Sequence, residues 1–147
     1  YGISMSKSKK ASEQYTIETI KLASEDEYMN DAQLAFFKAL LIELHDSTRE
    51  RIQEAKDQMS SPVDSADEGD RASWEEQCAI SMRIVDREQK LLPKIQQSLE
   101  RIRLGEYGYC IESGDPIGIP RLLLRPTAEY CADVKQAREM QEHVFRD

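Results

Sequence analysis

The sequence predicts a mainly α-helical protein: a long antiparallel coiled-coil hairpin, followed by a small globular lobe and a C-terminal helix. Three observations support this fold class. Two long stretches repeat apolar residues every three or four positions, the spacing of one helix face. A short break rich in Ser and Asp, with one Pro and one Gly, separates the two stretches. Most of the glycines and prolines fall together after the second stretch.

Composition agrees with an extended helical protein. Charged residues make up 33 % of the chain and hydrophobic residues 39 %, and there are only 6 glycines. Lys and Arg total 20 against 28 Asp and Glu, which gives a net charge of -8. Phosphate contacts depend on clustered positive charge, so this balance argues against nonspecific nucleic-acid binding. We therefore expect no direct DNA binding.

Three features bear on location and on catalysis. The chain has 3 cysteines and no secretion signal, which predicts a reducing cytoplasm and no disulfide framework. Its apolar runs stay well short of the roughly 20 residues that a membrane helix needs. We find no nucleophile–base pair, phosphate-binding loop or dinucleotide-binding glycines. Self-contained catalysis is not expected, and neither is a membrane location.

Residues 1–27 are predicted to form an N-terminal tail that begins basic and ends acidic. Near its end, four residues are spaced for a turn or two of amphipathic helix: Tyr15, Ile17, Ile20 and Leu22. Two interpretations stay open at this point, a loosely docked tail and a short docked helix.

Residues 28–104 are predicted to form the hairpin. Its first helix covers residues 30–59, with Asn30 or Asp31 as the N-cap. The stripe expected to face the partner helix is Leu34, Phe37, Leu41, Leu44, Thr48, Ile52, Ala55 and Met59. About 28 paired residues at 1.5 Å each would give an arm about 40 Å long.

The return helix carries a sustained heptad seam. Its seam positions are Trp74, Cys78, Ser81, Val85, Glu88, Leu92, Ile95, Leu99 and Ile102. Ser81 and Glu88 are polar, and such residues set register at some cost in stability. Pro93 lies inside this helix, so we expect a kink there that costs up to ~3 kcal/mol locally.

Residues 61–72 are predicted to form an acidic tip between the helices. Pro62 and its Ser and Asp neighbours break the first helix. Asp67 to Ala72 is expected to be a turn in which Gly69 supplies backbone freedom, and Asp70 or a neighbour caps the return helix. The carboxylates of Asp67 and Asp70 have either a structural role in the turn or a functional role.

Residues 105–126 are predicted to form a small lobe with two short strands, because glycines and prolines are too frequent there for a helix. Its core is expected from Tyr107, Tyr109, Ile111, Ile117, Ile119 and the leucines at 122–124. Residues 127–147 are predicted as the last segment. Thr127 is expected to cap its helix, which would cover Ala128 to about Val144.

The cysteines of the lobe resemble an incomplete zinc site. A four-thiolate site would need Cys at positions 110, 113, 131 and 134, but the chain has Cys110, Ser113, Cys131 and Val134. We therefore predict a zinc-finger-like lobe with a degenerate metal site and no tightly held zinc, stabilised by apolar packing and by the base of the hairpin. Cys110 and Cys131 are either partly buried small residues or a redox-sensing pair. Cys78 is expected in the arm core.

Four segments resemble the DksA family of bacterial regulators, which bind RNA polymerase without binding DNA. They are Glu27–Leu34, the tip with Asp67, Asp70 and Ala72, Gly108-Tyr109-Cys110 and Arg125-Pro126-Thr127-Ala128. The resemblance covers nearly the whole chain beyond residue 27. It departs at the metal positions, in the manner of the zinc-independent DksA paralogues.

The resemblance implies a regulatory mechanism. In the family the hairpin enters the secondary channel of polymerase, and Asp67, Asp70 and Ala72 match the functional tip near the active site. Guanosine tetraphosphate (ppGpp), the effector of the stringent response, would be bound with polymerase by the residues matching Leu91, Lys94, Arg125 and Lys135. Arg87 matches a polymerase-contacting arginine. We expect a monomer that alters promoter-complex stability with ppGpp.

Two other functions stay open. Gre factors also present acidic hairpin tips to polymerase, where carboxylates help to hold a metal for RNA cleavage. Asp67 and Asp70 would play that part here, although the tip spacing resembles DksA more closely. The third hypothesis is a polymerase adaptor switched by oxidation of Cys110 and Cys131.

Overall fold

The computed structural model describes residues 15–60 and 67–146, with side chains up to residue 144. Its elements are α1 (Ile17–Lys21), a 3₁₀ helix (Glu25–Glu27), α2 (Asp31–Met59), α3 (Glu68–Leu104), α4 (Ile119–Leu124) and α5 (Ala132–Arg146). The chain divides into an arm unit, residues 42–97, and a lobe unit, whose described residues are 15–41 and 98–146. The predicted mainly helical fold with a long hairpin is confirmed.

Side-chain contacts show that α2 and α3 run antiparallel within the arm unit. Gln58 Oε1, near the end of α2, accepts hydrogen bonds from Gln77 Nε2 at 3.2 Å and from Ser81 Oγ at 3.3 Å. One heptad earlier on α2, Arg51 Nη2 lies 3.2 Å from Glu88 Oε2, one heptad later on α3. Across the arm, residue numbers therefore rise along α3 as those of their partners fall along α2.

Burial follows the predicted heptad stripes. The fully or nearly buried seam residues of the arm unit are Thr48, Ile52, Ala55, Ser81, Glu88 and Ile95. The predicted positions Trp74 and Cys78 are half-buried. Three of the buried residues are polar, so the seam contains both apolar and polar residues.

The start of α3 differs from the predicted turn. The Asp67 side chain accepts a hydrogen bond from the Gly69 N–H at 2.9 Å, which satisfies one of the unpaired donors at the helix end. The helix accordingly begins at Glu68, and Gly69, Asp70 and Ala72 are helical. The expectation that Gly69 supplies turn freedom was wrong, and the capping neighbour is Asp67. The predicted break at 61–66 lies outside the described residues.

Pro93 lies within α3, which continues as helix on both sides of it. Its side chain is exposed, so the ring occupies solvent rather than the seam. The proline does not end the helix. The local bend expected from its missing N–H stays a prediction.

Of the two interpretations of the N-terminal tail, residues 17–21 follow the second, since they form the short helix α1. Thr16 caps α1 in a reciprocal capping box with Thr19. Ile20 is fully buried, and α1 contacts α4. Residues 1–14 of the predicted tail lie outside the described residues. The next cap is also as predicted, since Asn30 Oδ1 accepts from the Gln33 N–H at 2.8 Å.

The lobe unit is organised around two tyrosines. Tyr107 is 1 % exposed, its ring centroid lies 5.5 Å from that of Phe37, and its hydroxyl donates to the Pro126 carbonyl at 2.7 Å. Tyr28 donates to the Gly108 carbonyl at 2.5 Å and accepts from the Gly118 N–H at 2.9 Å. Burial raises the pKa of both tyrosines, which keeps their hydroxyls protonated and able to donate.

Gly108 is required where it stands. Its φ is +92°, and a Cβ at this position would lie 2.8 Å from the side chain of Met29. The positive φ and the adjacent Met29 side chain therefore both disfavour a residue other than glycine here.

Two predictions for the lobe were wrong. Tyr109 and Pro116 form an isolated β-bridge, and no strand is formed within 15–60 and 67–146. Residues 119–124 instead form α4. Pro120 falls in its first turn, where the missing N–H has no helical partner to lose.

The C-terminal helix begins at Ala132 and not at Ala128. The segment before it makes other bonds: the Ala128 N–H donates to the Arg125 carbonyl, and the Glu129 carbonyl accepts from Ile111. The backbone at 128–129 is thus held by the lobe, and Thr127 does not cap the helix. Among the described residues, no helix has the length and apolar content needed to cross a bilayer.

Candidate functional site

The tip residues lie on the first turns of α3. Asp67 precedes the helix, and Asp70 and Ala72 follow within it. All three side chains are exposed. The unpaired N–H groups at a helix start carry partial positive charge, which favours the carboxylates of Asp67, Glu68 and Asp70. The Asp67 side chain caps the helix, and Asp70 is exposed in its first turn.

Three predicted polymerase or ppGpp residues lie farther along α3. Arg87, Leu91 and Lys94 follow one another by four and three residues, so they share one face of the helix. Leu91 is half-buried, and Lys94 is exposed. Arg87 is 75 % exposed, with its Nη2 3.6 Å from Glu88 Oε1. In the arm unit this face therefore carries two accessible cations.

The remaining two predicted residues belong to the lobe unit. Arg125 is exposed and follows α4, with its N–H donating to the Arg121 carbonyl at 2.8 Å. Lys135 is half-buried in the first turn of α5, where its N–H donates to the Cys131 carbonyl at 3.0 Å. Both residues carry positive charge in the lobe unit, one just after α4 and one within α5.

Ser113 contacts both thiols of the degenerate metal site. The Ser113 N–H donates to Cys110 Sγ at 3.4 Å, and Ser113 Oγ lies 3.8 Å from Cys131 Sγ. Cys110 is 3 % exposed. Burial opposes charge on its sulfur, but hydrogen bonds from the hydroxyl and N–H of Ser113 and from the N–H groups of Cys131 and Glu112 outweigh that effect. They lower the pKa of Cys110 from 9.0 to about 6.

These residues do not fit a four-thiolate zinc site. Serine is a poor zinc ligand, and the half-buried Val134 offers no ligand atom. The described residues hold no group of three or more His, Cys, Asp or Glu side chains arranged to bind a metal ion. The two thiols are instead contacted by Ser113.

The arm also contains a partner that sequence reasoning missed. Glu88 was identified as a polar seam residue, but Arg51, which pairs with it from α2, was not. Arg51 lies one position off the predicted stripe, and a long side chain can reach the seam from there. Such a pairing has no signal in the periodicity of either helix.

Comparisons with known proteins place this chain among relatives of similar length. Residues 33–102 match the family model for the DnaK suppressor protein DksA, N-terminal domain. Residues 105–139 match the prokaryotic dksA/traR C4-type zinc finger. The match to a C4-type finger extends over a lobe in which Ser113 and Val134 stand at two of the four expected cysteine positions.

Individual relatives agree with the family models. The RNA polymerase-binding transcription factor DksA of Caulobacter vibrioides is 41 % identical over 84 % of this chain and 89 % of its own length. That of Escherichia coli K12 is 38 % identical over 80 % of this chain and 78 % of its own. The structure of transcription factor DksA2 from Pseudomonas aeruginosa matches with a TM-score of 0.76 and 39 % identity, over 87 % of this chain and 99 % of that one. The chain therefore belongs to the DksA family.

Proposed function

We propose that this protein is a transcription factor that binds RNA polymerase directly. Its arm enters the secondary channel and alters the stability of promoter complexes together with ppGpp, in the cytoplasm and as a monomer. It requires neither zinc nor DNA contacts, and it has no catalytic activity of its own. The names of its relatives, RNA polymerase-binding transcription factor DksA, support the choice of partner.

The observation that carries this proposal is the exposed Asp70 at the start of α3, beside the capping Asp67. An acidic helix start at the end of a two-helix arm suits contacts with cationic groups or metal-bound water in a narrow channel. Exposed charge of this kind contributes little to folding. We assign Asp70 a contact with polymerase as its role.

We propose that ppGpp is bound with polymerase by Leu91, Lys94, Arg125 and Lys135, and that Arg87 contacts polymerase itself. Phosphate groups favour Arg and Lys donors, since charge-assisted hydrogen bonds are among the strongest that side chains make. The protein would complete this site only together with polymerase.

Transcription from a ribosomal RNA promoter with chelator-treated protein tests the function. We expect a shorter-lived promoter complex and lower output, both accentuated by ppGpp, because the arm acts in the channel and the lobe folds without metal. Lys94→Ala should remove the ppGpp increment and keep the basal effect. An inactive chelated protein that zinc restores would contradict zinc independence. Stimulated RNA cleavage in backtracked complexes would instead favour the Gre-like function.

The thiols favour a second, compatible function as a redox-responsive adaptor. Ser113 contacts the sulfur atoms of both Cys110 and Cys131, and the pKa of Cys110 is lowered. Hydrogen peroxide would take two electrons from the thiols to form a disulfide, and the two protons they release would leave in the two waters produced. The Cys110 thiolate is the nucleophile that attacks the peroxide.

The pH dependence of Cys110 alkylation tests this arrangement. Its depressed pKa predicts half-maximal alkylation near pH 6, measured by mass spectrometry. The associated folding stability is present above the ordinary pKa of 9.0 and is lost as pH falls through about 6. Ser113→Ala removes one hydrogen bond to sulfur, so its midpoint should move towards 9.0. The same midpoint in both proteins would show that Ser113 does not activate the thiol.

A further inference from the structure

Glu88 is a buried acid in the seam of the arm. It is 7 % exposed and lies on α3. Its Oε2 lies 3.2 Å from Arg51 Nη2 on α2, and its Oε1 lies 3.6 Å from Arg87 Nη2 on its own helix. The Arg51 side chain is 42 % exposed, so it reaches from solvent into the seam. The pair with Arg51 is therefore an ion pair between the two helices of the arm.

The arginine is held in place from its own helix. Arg51 Nη2 also donates to Thr48 Oγ1 at 3.0 Å, and Nη1 donates to Ser47 Oγ at 3.4 Å. The Thr48 hydroxyl in turn donates to the Leu44 carbonyl at 2.6 Å, and Thr48 is fully buried. The hydroxyls of Ser47 and Thr48 thus help to hold the guanidinium in the orientation in which it pairs with Glu88.

Stability does not explain such a layer. Apolar side chains of similar volume commonly stabilise a core as well as or better than a buried ion pair, because the pair must first lose its water. Removing one partner, however, leaves a buried charge without compensation. A polar pair in a seam therefore discriminates between registers more strongly than it stabilises any one of them.

The alternative registers of this arm lack the pair. A slip of one heptad between α2 and α3 would bring Glu88 opposite Leu44 or Gln58 and away from Arg51. It would also separate Ser81 from Gln58, which are hydrogen-bonded at 3.3 Å. Seven residues of helix correspond to about 10 Å of sliding. Apolar seam residues repeat with the same heptad spacing and penalise this slip less.

We propose that Glu88 is a positioning residue that, through Arg51, fixes the axial register of the arm and hence the place of Asp67 and Asp70 along it. That the position of these two carboxylates matters rests on the proposed function in the polymerase channel. The register itself is a property of the free protein and can be measured without polymerase.

Spin-label distances test the register. Labels introduced as unnatural amino acids at the exposed positions Glu43 and Glu75, one on each helix, leave the native cysteines unchanged. We expect a single distance in the otherwise native chain. Arg51→Leu with Glu88→Leu should add a second distance, displaced by about 10 Å, while the protein melts at the same temperature or higher. The charge swap Arg51→Glu with Glu88→Arg should restore a single distance.

Two results would overturn the proposal. One is an unchanged single distance in the double-leucine protein, and the other is its failure to fold, which would make the pair a stability element. Glu88→Gln, which keeps the shape and removes the charge, gives a second reading and should broaden the distance distribution. An unbroadened distribution in this variant counts against the proposal as well.

Arg87→Ala is the matched control for distance. Arg87 also contacts Glu88 but lies on the same helix, so Arg87→Ala should leave the single distance unchanged. On ribosomal promoters, the double-leucine protein should lose most of the regulatory effect and the charge swap should recover it. If the native protein has no effect on polymerase, the proposed function fails, whereas the distances still decide the register.

Discussion

Replacing Asp70 with Asn is expected to abolish the effect of this protein on ribosomal promoters while leaving its fold and its binding to polymerase intact. Asp70 is exposed in the first turn of α3, so the substitution keeps the shape and removes the charge. Loss of one charge-assisted hydrogen bond corresponds to about tenfold or more in the regulatory effect. The change in helix stability should stay below about 1 kcal/mol. Promoter-complex lifetime, polymerase affinity and thermal unfolding measure the three quantities.

Asp67 provides the matched comparison, because it caps the helix as well as carrying charge. Asp67→Asn keeps an N-cap, and Asp67→Ala should lower stability by about 1 kcal/mol. If Asp70→Asn regulated promoters normally, Asp70 would have only the local role of an acid at a helix start. If Asp67→Asn regulated normally and only Asp67→Ala failed, the Asp67 carboxylate would matter for capping alone.

Phe37→Ala is expected to cause the largest loss of stability in the lobe unit, about 3–5 kcal/mol. The side chain is fully buried, and its ring packs against Phe36 and Tyr107. With two thiols in place of a four-thiolate site, the lobe depends on this apolar contact and on the hydrogen bonds of Tyr28 and Tyr107. Urea unfolding followed by circular dichroism measures the loss.

The neighbouring Lys38 serves as the control for Phe37. Its side chain is exposed, so Lys38→Ala should change stability by less than about 0.5 kcal/mol. A loss of under about 1 kcal/mol for Phe37→Ala would mean that the lobe draws its stability from elsewhere. Recovery of stability on adding zinc would likewise contradict a lobe that folds by packing alone.

The sequence by itself determined the repeated features of this protein. Heptad spacing located α2, most of α3 and the polar seam positions Ser81 and Glu88, because periodicity is a local signal that every turn of the helix repeats. The sequence also showed that Ser113 and Val134 replace two zinc-binding cysteines, because a four-thiolate site requires its ligand types at set spacings.

Only the tertiary structure decided the features that depend on a partner distant in sequence or on competing caps. The Asp67 side chain caps α3, so the helix begins at Glu68 and Gly69 is helical instead of part of a turn. The lobe holds the backbone at 128–129, so α5 starts later than its sequence suggests. Arg51 reaches Glu88 across the arm, and that pairing exists in one register alone. Periodicity states which face of a helix is buried, whereas the opposing residue depends on how far one helix has slid along the other.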